Sequence, residues 1–191
     1  MKIGVLALQG AVSEHISMLK TLGVDAIPVK SKKDFDNIDG LIIPGGESTT
    51  MGRIITKFSL DEVLKEKIEN GLPVYGTCAG MILLAKRIEN YEQPSLDVLD
   101  ITVVRNAFGR QTDSMEIDLE VKDLDTPFHA IFIRAPVAKD LGKDVISLAE
   151  VEEGAVFVRQ NNIFASAFHP ELGKDPRIHK MFIEYINKSK I

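Results

Sequence analysis

The stretch Leu72-Pro-Val-Tyr-Gly-Thr-Cys-Ala-Gly-Met-Ile-Leu-Leu84 decides how the rest of the chain is read. A short apolar strand at Val74 and Tyr75 runs into Gly76-Thr77-Cys78-Ala79-Gly80, and an apolar helix starts at Met81. Strand, Gly-x-nucleophile-x-Gly and helix are the nucleophile-elbow pattern, with sulfur in place of a serine hydroxyl. Such a turn is strained, so its flanking positions need residues with no Cβ to clash, and Gly76 and Gly80 supply them. The turn aims Cys78 outward at the top of a sheet and into the first turn of a helix. There, unpaired backbone N–H groups and the positive end of the helix dipole stabilise an anion. The N–H of Ala79 is then an oxyanion donor. Cys78 is the only cysteine of the chain. A lone cysteine reads by default as a small buried hydrophobe, and the bracketing glycines turn that reading toward a nucleophile.

Outward from the elbow, strand and helix signals alternate. Lys2 to Leu8 is nearly all apolar, as a strand buried on both faces should be. Val12, Ile16, Leu19 and Leu22 recur at helical spacing, and Gly23 ends that helix. Ala26 to Val29 and Leu41 to Ile43 read as the second and third strands. The third opens abruptly into a loop, Pro44-Gly-Gly-Glu-Ser-Thr-Thr50, and Leu60 to Ile68 reads as a helix stopped by Asn70-Gly71. Strand–helix–strand units of this length predict a parallel sheet with helices on both faces. The middle of the chain differs. Asp100 to Val104, Met115 to Val121, Ala130 to Arg134, Val145 to Val151 and Ala155 to Arg159 predict further strands with few helices. Gln160-Asn-Asn162 predicts a hairpin into Ile163 to Phe168. A last helix carries Ile178, Met181, Phe182, Tyr185 and Ile186 on its apolar face. The fold class expected is therefore α/β: a three-layer, mostly parallel sheet flanked by helices, with extra antiparallel strands in the middle and C-terminal part.

The length of 191 residues suits one domain with a full core, and neither repeats nor a linker divide it, so residues 1–191 are expected to form a single domain. A formal charge of −5 with no basic run argues against nucleic acid as a partner. One cysteine allows no internal disulfide, which fits a reducing compartment. The apolar run Ile3 to Leu8 is too short for the core of a signal peptide and no stretch approaches a membrane span, so the cytoplasm is expected.

In an open parallel sheet, ligands sit beyond the carboxyl ends of the strands. Three stretches end strands there. The elbow is the first. Pro44-Gly45-Gly46 is the second, and in elbow architectures that loop gives the second oxyanion N–H, from Gly46. Phe168-His-Pro-Glu171 is the third. Residues two apart in an extended segment point the same way, so Glu171 can hold one imidazole nitrogen of His169 and leave the other facing Cys78. That is the base-and-orienter arrangement of a thiol triad. His15 and His179, on the first and last helices, read as solvated or capping residues, and His129 has no clear role. No His/Cys/Asp/Glu cluster has metal-ligand spacing. The glycine-rich loop lacks the Gly-Lys-Ser/Thr ending of a phosphate-binding loop.

Taken in order, Pro44-Gly-Gly46, Gly76-Thr-Cys-Ala-Gly80 and His169-Pro-Glu171 resemble the class I (triad-type) glutamine amidotransferase family, whose core is flavodoxin-like. The resemblance narrows to the glutaminase subunit of pyridoxal 5′-phosphate synthase. It is carried by Gly4-Val-Leu-Ala-Leu-Gln-Gly10 with Glu14-His15, Pro44-Gly-Gly-Glu-Ser-Thr49, Arg105-Asn-Ala-Phe-Gly-Arg-Gln111, Phe132-Ile-Arg-Ala135 and Ala167-Phe-His-Pro-Glu-Leu172. These segments span nearly the whole chain. The resemblance implies hydrolysis of L-glutamine to glutamate and ammonia by Cys78, His169 and Glu171. Gly46 and Ala79 would be the oxyanion donors, and Gly46, Glu47, Ser48, Arg105, Ile133 and Arg134 would contact glutamine. It implies no cofactor and delivery of ammonia to a (β/α)8 synthase subunit. Up to twelve glutaminases would dock on a dodecameric synthase, through a surface placed around Gln9 to Glu14 and the rim loops. Other Cys-elbow hydrolases of flavodoxin-like core place a histidine soon after the cysteine, where this chain has Met81 and Ile82. A non-catalytic binding module of the same fold predicts an unreactive Cys78.

Overall fold

Ile3, Val5 and Leu6 have no exposed surface, as an apolar run sandwiched between helix layers requires. The structure, a computed structural model, describes residues 1–109 and 114–189. Its first part runs β1 (Lys2–Leu6), α1 (Val12–Thr21), β2 (Asp25–Val29), β3 (Gly40–Ile43), α2 (Ser48–Lys57), α3 (Leu60–Glu69), β4 (Val74–Thr77) and α4 (Ala79–Leu84). Then follow β5 (Ala85–Ile88), β6 (Leu99–Val104), β7 (Ser114–Leu119), β8 (Phe128–Ile133), β9 (Val137–Lys139), β10 (Ile146–Val151), β11 (Gly154–Gln160) and β12 (Ile163–Ser166). The last helix is α5 (Arg177–Ser189).

Among the described residues the main sheet has ten strands, in the order β2-β1-β3-β4-β12-β11-β9-β6-β5, with β10 on β11. From β2 to β12 every pairing is parallel. Beyond β12 the pairings β12–β11, β11–β10, β11–β9 and β9–β6 are antiparallel. The expected α/β class with added antiparallel strands is thus the observed one. β7 and β8 form a separate antiparallel pair.

Alternation along β4 sorts the helices onto the two faces. The Tyr75 ring meets His179 and Phe182 of α5, whereas a Cβ on Gly76 would run into Gly80 and Leu84 of α4. α5 also carries His179 against His15 of α1. Hence α1 and α5 cover one face. α4 covers the other, with α2 packed on it and α3 on α2.

Several expectations need correction. The stretch after Pro44 is not a long loop: the turn is complete by Glu47 and α2 starts at Ser48. The apolar helix after the elbow is short, because Ala85 leaves it to pair with Leu99 as the start of β5. The short strand β9 carries no alternation long enough to be read from sequence. β12 stops at Ser166, so His169 and Glu171 lie in a turn rather than on an extended strand. His15 and His179 are not solvated: both are fully buried. Arg110 and Gln111, the end of the Arg105 segment, lie outside the described residues.

Candidate active site

The register between β4 and β12 assembles the site. Ser166 pairs with Thr77, so the two parallel strands end level and the residues after each emerge side by side. The Cys78 N–H donates to the Ser166 carbonyl at 2.7 Å, which locks the elbow to that rim. Cys78 has φ 48° and ψ −100°, a conformation disfavoured for a residue with a Cβ. The strain is held by close packing. A Cβ on Gly80 would collide with the Ile43 carbonyl oxygen, so no other residue lets α4 sit this near β3. Cys78 itself is 7% exposed and its thiol donates to the Ile133 carbonyl at 3.8 Å.

His169 is held from both sides of its backbone. Its N–H donates to the Ile131 carbonyl at 2.8 Å and its own carbonyl accepts from Leu172 at 3.3 Å, closing the turn. Upstream, the Ser166 hydroxyl donates to the Phe168 carbonyl at 3.1 Å, so Tyr75 donates to Ser166 at 2.8 Å. The turn brings His169 Nδ1 to 2.8 Å from Glu171 Oε1. Burial of the ring works against its charge, but hydrogen bonds with Cys78 and Glu171 and their charges prevail and raise the His169 pKa to about 10. At neutral pH the ring is therefore an imidazolium. Glu171 is 5% exposed and stands behind the ring.

All the sequence-predicted residues other than Glu171 line one cavity of about 370 Å³. They arrive from distant parts of the chain: Gly46, Glu47 and Ser48 after β3, Cys78 and Ala79 at the elbow, Arg105 after β6, Ile133 and Arg134 at the end of β8, and His169 after β12. The volume suits a small polar molecule. Gly45 lies close against the His169 ring, which a Cβ there would strike. Its carbonyl accepts from the Ala11 N–H at 3.1 Å, which fixes that peptide and points the N–H of Gly46 the opposite way. Gln9 supports the same loop, its Oε1 accepting from the Glu47 N–H at 2.7 Å.

The polar wall of the cavity is a network. Glu47 is the N-cap of α2, accepting from the N–H of Thr49 at 3.2 Å and of Thr50 at 2.7 Å. The Thr50 hydroxyl leads in lowering its pKa to about 2; partial burial opposes this, and the Thr49 and Thr50 N–H groups reinforce it. Arg105 lies over the Tyr91 ring at 4.2 Å, donates to Gln93 Oε1 at 3.3 Å and stands 3.8 Å from Glu47. Gln93 Oε1 also accepts from Ser48 at 3.0 Å. Arg134, with φ 43°, pairs with no carboxylate among the described residues.

Sequence reasoning missed Gln9, Ile82 and Asn106 as lining residues and Tyr91 and Gln93 as supports of Arg105. It also missed His15 and His179 beneath Glu171. For the two histidines a signal exists. His15 is four residues before Leu19, and His179 is three before Phe182 and seven before Ile186, so each falls on the buried stripe of its helix.

As chemistry, a thiol on a strained turn, a charged imidazole beside it and a carboxylate behind it suit acyl transfer from a small amide. The SNO glutamine amidotransferase family matches residues 5–188. The "Pyridoxal 5'-phosphate synthase subunit PdxT" of Carboxydothermus hydrogenoformans is 53% identical over 189 residues, covering 98% of this chain and 99% of that protein. The protein of the same name from Thermotoga maritima is 54% identical over 187 residues, 97% of this chain and 100% of its own length. Among solved structures, a "Crystal structure of glutamine amidotransferase" superposes with a TM-score of 0.93 at 49% identity, covering 97% of this chain and 98% of that one. A putative GMP synthase component from Thermoplasma acidophilum shares the fold, at 20% identity and a TM-score of 0.72, covering 100% of this chain and 96% of that one.

Proposed function

The chain belongs to the SNO glutamine amidotransferase family, and from that premise we propose that it is the glutaminase subunit of a pyridoxal 5′-phosphate synthase. It hydrolyses L-glutamine to L-glutamate and ammonia for vitamin B6 synthesis. The observation that carries this reading is the convergence of Cys78, His169 and the three rim segments on one cavity of amino-acid size.

In this mechanism the Cys78 thiolate attacks the side-chain amide carbon of glutamine. The N–H groups of Ala79 and Gly46 receive the oxyanion, each such donor lowering a barrier by about 3 kcal/mol. The imidazolium of His169 gives its proton to the departing ammonia and becomes neutral. In that state it takes a proton from water, which cleaves the γ-glutamyl thioester. Glu171 orients the ring and stabilises its cation through Nδ1. At the amino-acid end, Gly46, Glu47, Ser48, Arg105, Ile133 and Arg134 contact the substrate. The two guanidiniums suit its carboxylate. Glu47 is largely committed to capping α2, so loop carbonyls share the ammonium.

Ammonia freed into neutral water is protonated and loses its nucleophilicity, so hydrolysis is coupled to delivery. The partner is the synthase subunit, with one glutaminase per synthase protomer and up to twelve on a dodecameric ring. The gate is the Gly45–Gly46 peptide. Its orientation hangs on one hydrogen bond from Ala11, at the start of α1, where docking is placed. Among the described residues no helix is long and apolar enough to cross a membrane, and the reading places the chain in the cytoplasm.

The test is glutamate release from glutamine by wild type and Cys78→Ala, with and without the synthase subunit. Wild type should turn over slowly alone and faster with the synthase, and Cys78→Ala should release none in either case. Residual turnover by Cys78→Ala removes the nucleophile from this account, and equal rates with and without synthase remove the coupling.

A further inference from the structure

Behind Glu171 lies a pair of buried imidazoles that the mechanism above does not use. His15 comes from α1 and His179 from α5, and neither has exposed surface. His15 Nδ1 is 2.9 Å from His179 Nε2. His15 Nε2 is 3.1 Å from the Thr77 hydroxyl oxygen, one residue before the nucleophile, and 3.4 Å from Glu171 Oε2. Glu171 Oε1 is engaged with His169, while Oε2 is buried with no close hydrogen bond.

The protons of this chain of contacts can be assigned. Burial above all, and then the charges of His179 and His169, hold the His15 pKa well below its ordinary value, and burial holds His179 at about 4. Both rings are neutral, so each carries a single N–H. If His15 carried its proton on Nδ1, its bare Nε2 would accept from the Thr77 hydroxyl but stand 3.4 Å from a carboxylate oxygen with no proton between them. His179 would then hold its proton on Nδ1, a buried donor with no acceptor. With the proton on His15 Nε2, that N–H is shared between the Thr77 hydroxyl oxygen and Glu171 Oε2, and His179 Nε2–H donates to His15 Nδ1. The nitrogen left without a partner at His179 Nδ1 is then a bare acceptor rather than a buried donor. Two imidazoles of this cost are not needed to fill space that leucine or phenylalanine fills without desolvation.

We propose that His15 is a positioning residue of the triad: its Nε2–H holds the second oxygen of Glu171, so that the first accepts from His169 Nδ1, and His179 fixes the His15 tautomer. This rests on the glutaminase reading. It places three side chains in succession behind the Cys78 thiol, His169, Glu171 and His15, with His179 as the end stop. It also gives α1 a hand at both ends of the site, through Ala11 on the Gly45 carbonyl and through His15 on Glu171.

The experiment compares wild type with His15→Leu, His15→Gln and His15→Asn in the presence of the synthase subunit, reading kcat, KM for glutamine and the alkaline limb of kcat. Leucine keeps the volume without the donor. Glutamine places an amide N–H near the Nε2 position, whereas the shorter asparagine places it near Nδ1, out of reach of Glu171. His15→Leu and His15→Asn should lose kcat by roughly 10- to 100-fold with KM little changed, as small misplacements of a catalytic group do. Their alkaline limb should move to lower pH, because His169 is faced by Cys78 and Glu171, and a loosened Glu171 supports its charge less. His15→Gln should recover most of both. If His15→Leu fails to fold, the contrast between the two amides carries the test. Wild-type kcat and limb in His15→Asn, or equal losses in the two amides, overturn the positioning role. A wild type that releases no glutamate overturns the glutaminase reading itself.

Discussion

A charged imidazole beside a thiol is the feature on which the residue-scale chemistry turns. The His169 pKa stands raised to about 10 from an ordinary 6.5, despite burial that opposes it, because Cys78 and Glu171 outweigh the desolvation. A group whose folded pKa is raised contributes stability that is fully present below 6.5 and is lost as the pH rises through about 10. In the proposed mechanism the same deprotonation removes the acid that protonates the departing ammonia. We therefore expect kcat to stay level across neutral pH and to fall above about pH 10, whereas the urea midpoint should decline from about pH 6.5 to about 10 and level off above it. Measured together from pH 6 to 11, the stability decline should end where the fall in kcat begins in wild type, and His169→Asn should lose the stability limb. A stability limb centred near pH 7 would mean that the ring is not held as a cation. Cys78, His169 and Glu171 were legible as candidates because the Gly-x-Cys-x-Gly turn and the His-x-Glu pair are each short, local patterns. His15 and His179 were not, since a histidine on a helix reads as polar until the face it shares with Leu19 or Phe182 is known to be inward.

At the scale of elements, α2 shows how capping and burial override propensity. Its sequence Ser-Thr-Thr-Met-Gly-Arg-Ile-Ile-Thr-Lys is rich in β-branched residues and has a glycine in the middle, which is why the sequence reads as loop. The helix forms because Glu47 caps it, while Met51 and Ile55 are buried, with Gly52 against the Pro94 carbonyl and Leu83 of α4. β5 is the converse case. An apolar helix would run on past Leu84, but pairing with β6 takes Ala85 away. Such long-range pairing leaves no local mark. The alternating strands β6 to β8 and β10 to β12, by contrast, were legible within a few residues at each end. Half the Glu47 side chain is exposed, so solvent screening holds its worth to about 1 kcal/mol, the usual value of a helix cap. Its folded pKa is depressed to about 2, so the contribution is present above about pH 4.5 and is lost as the pH falls through about 2. Urea unfolding of Glu47→Ala should show a deficit of about 1 kcal/mol at pH 7 that shrinks steadily below pH 4.5. A deficit independent of pH would mean that the carboxylate charge is not what caps α2.

Across the whole molecule, one aromatic cluster ties the catalytic turn to both sheets. Phe168, the residue before His169, meets Phe128 and Phe132 of β8 at centroid distances of 5.6 and 5.8 Å, and Phe157 of β11 at 5.8 Å. The small β7–β8 pair also holds Ile133 and Arg134 at the cavity, so the same cluster sets these residues and His169 relative to the elbow. No periodicity in the chain announces this, because the rings come from segments tens of residues apart. Phe164 of β12 packs on Phe182 and Tyr185 of α5 at 5.8 and 5.2 Å, and touches this cluster through Phe157 at 6.4 Å. Both rings are buried, and truncating either to alanine should cost about 3 to 5 kcal/mol. Their effects on turnover should differ. Phe168→Ala leaves its cavity under His169 and beside β8, so kcat with the synthase subunit should fall by roughly 100-fold even where the variant is fully folded. Phe164→Ala opens its cavity under α5, and kcat should stay within a few-fold of wild type. Urea unfolding checks the stability of each variant, and glutamate release under folding conditions checks the rest. Equal kcat for the two variants at matched stability would show that the cluster holds the fold without aligning the site.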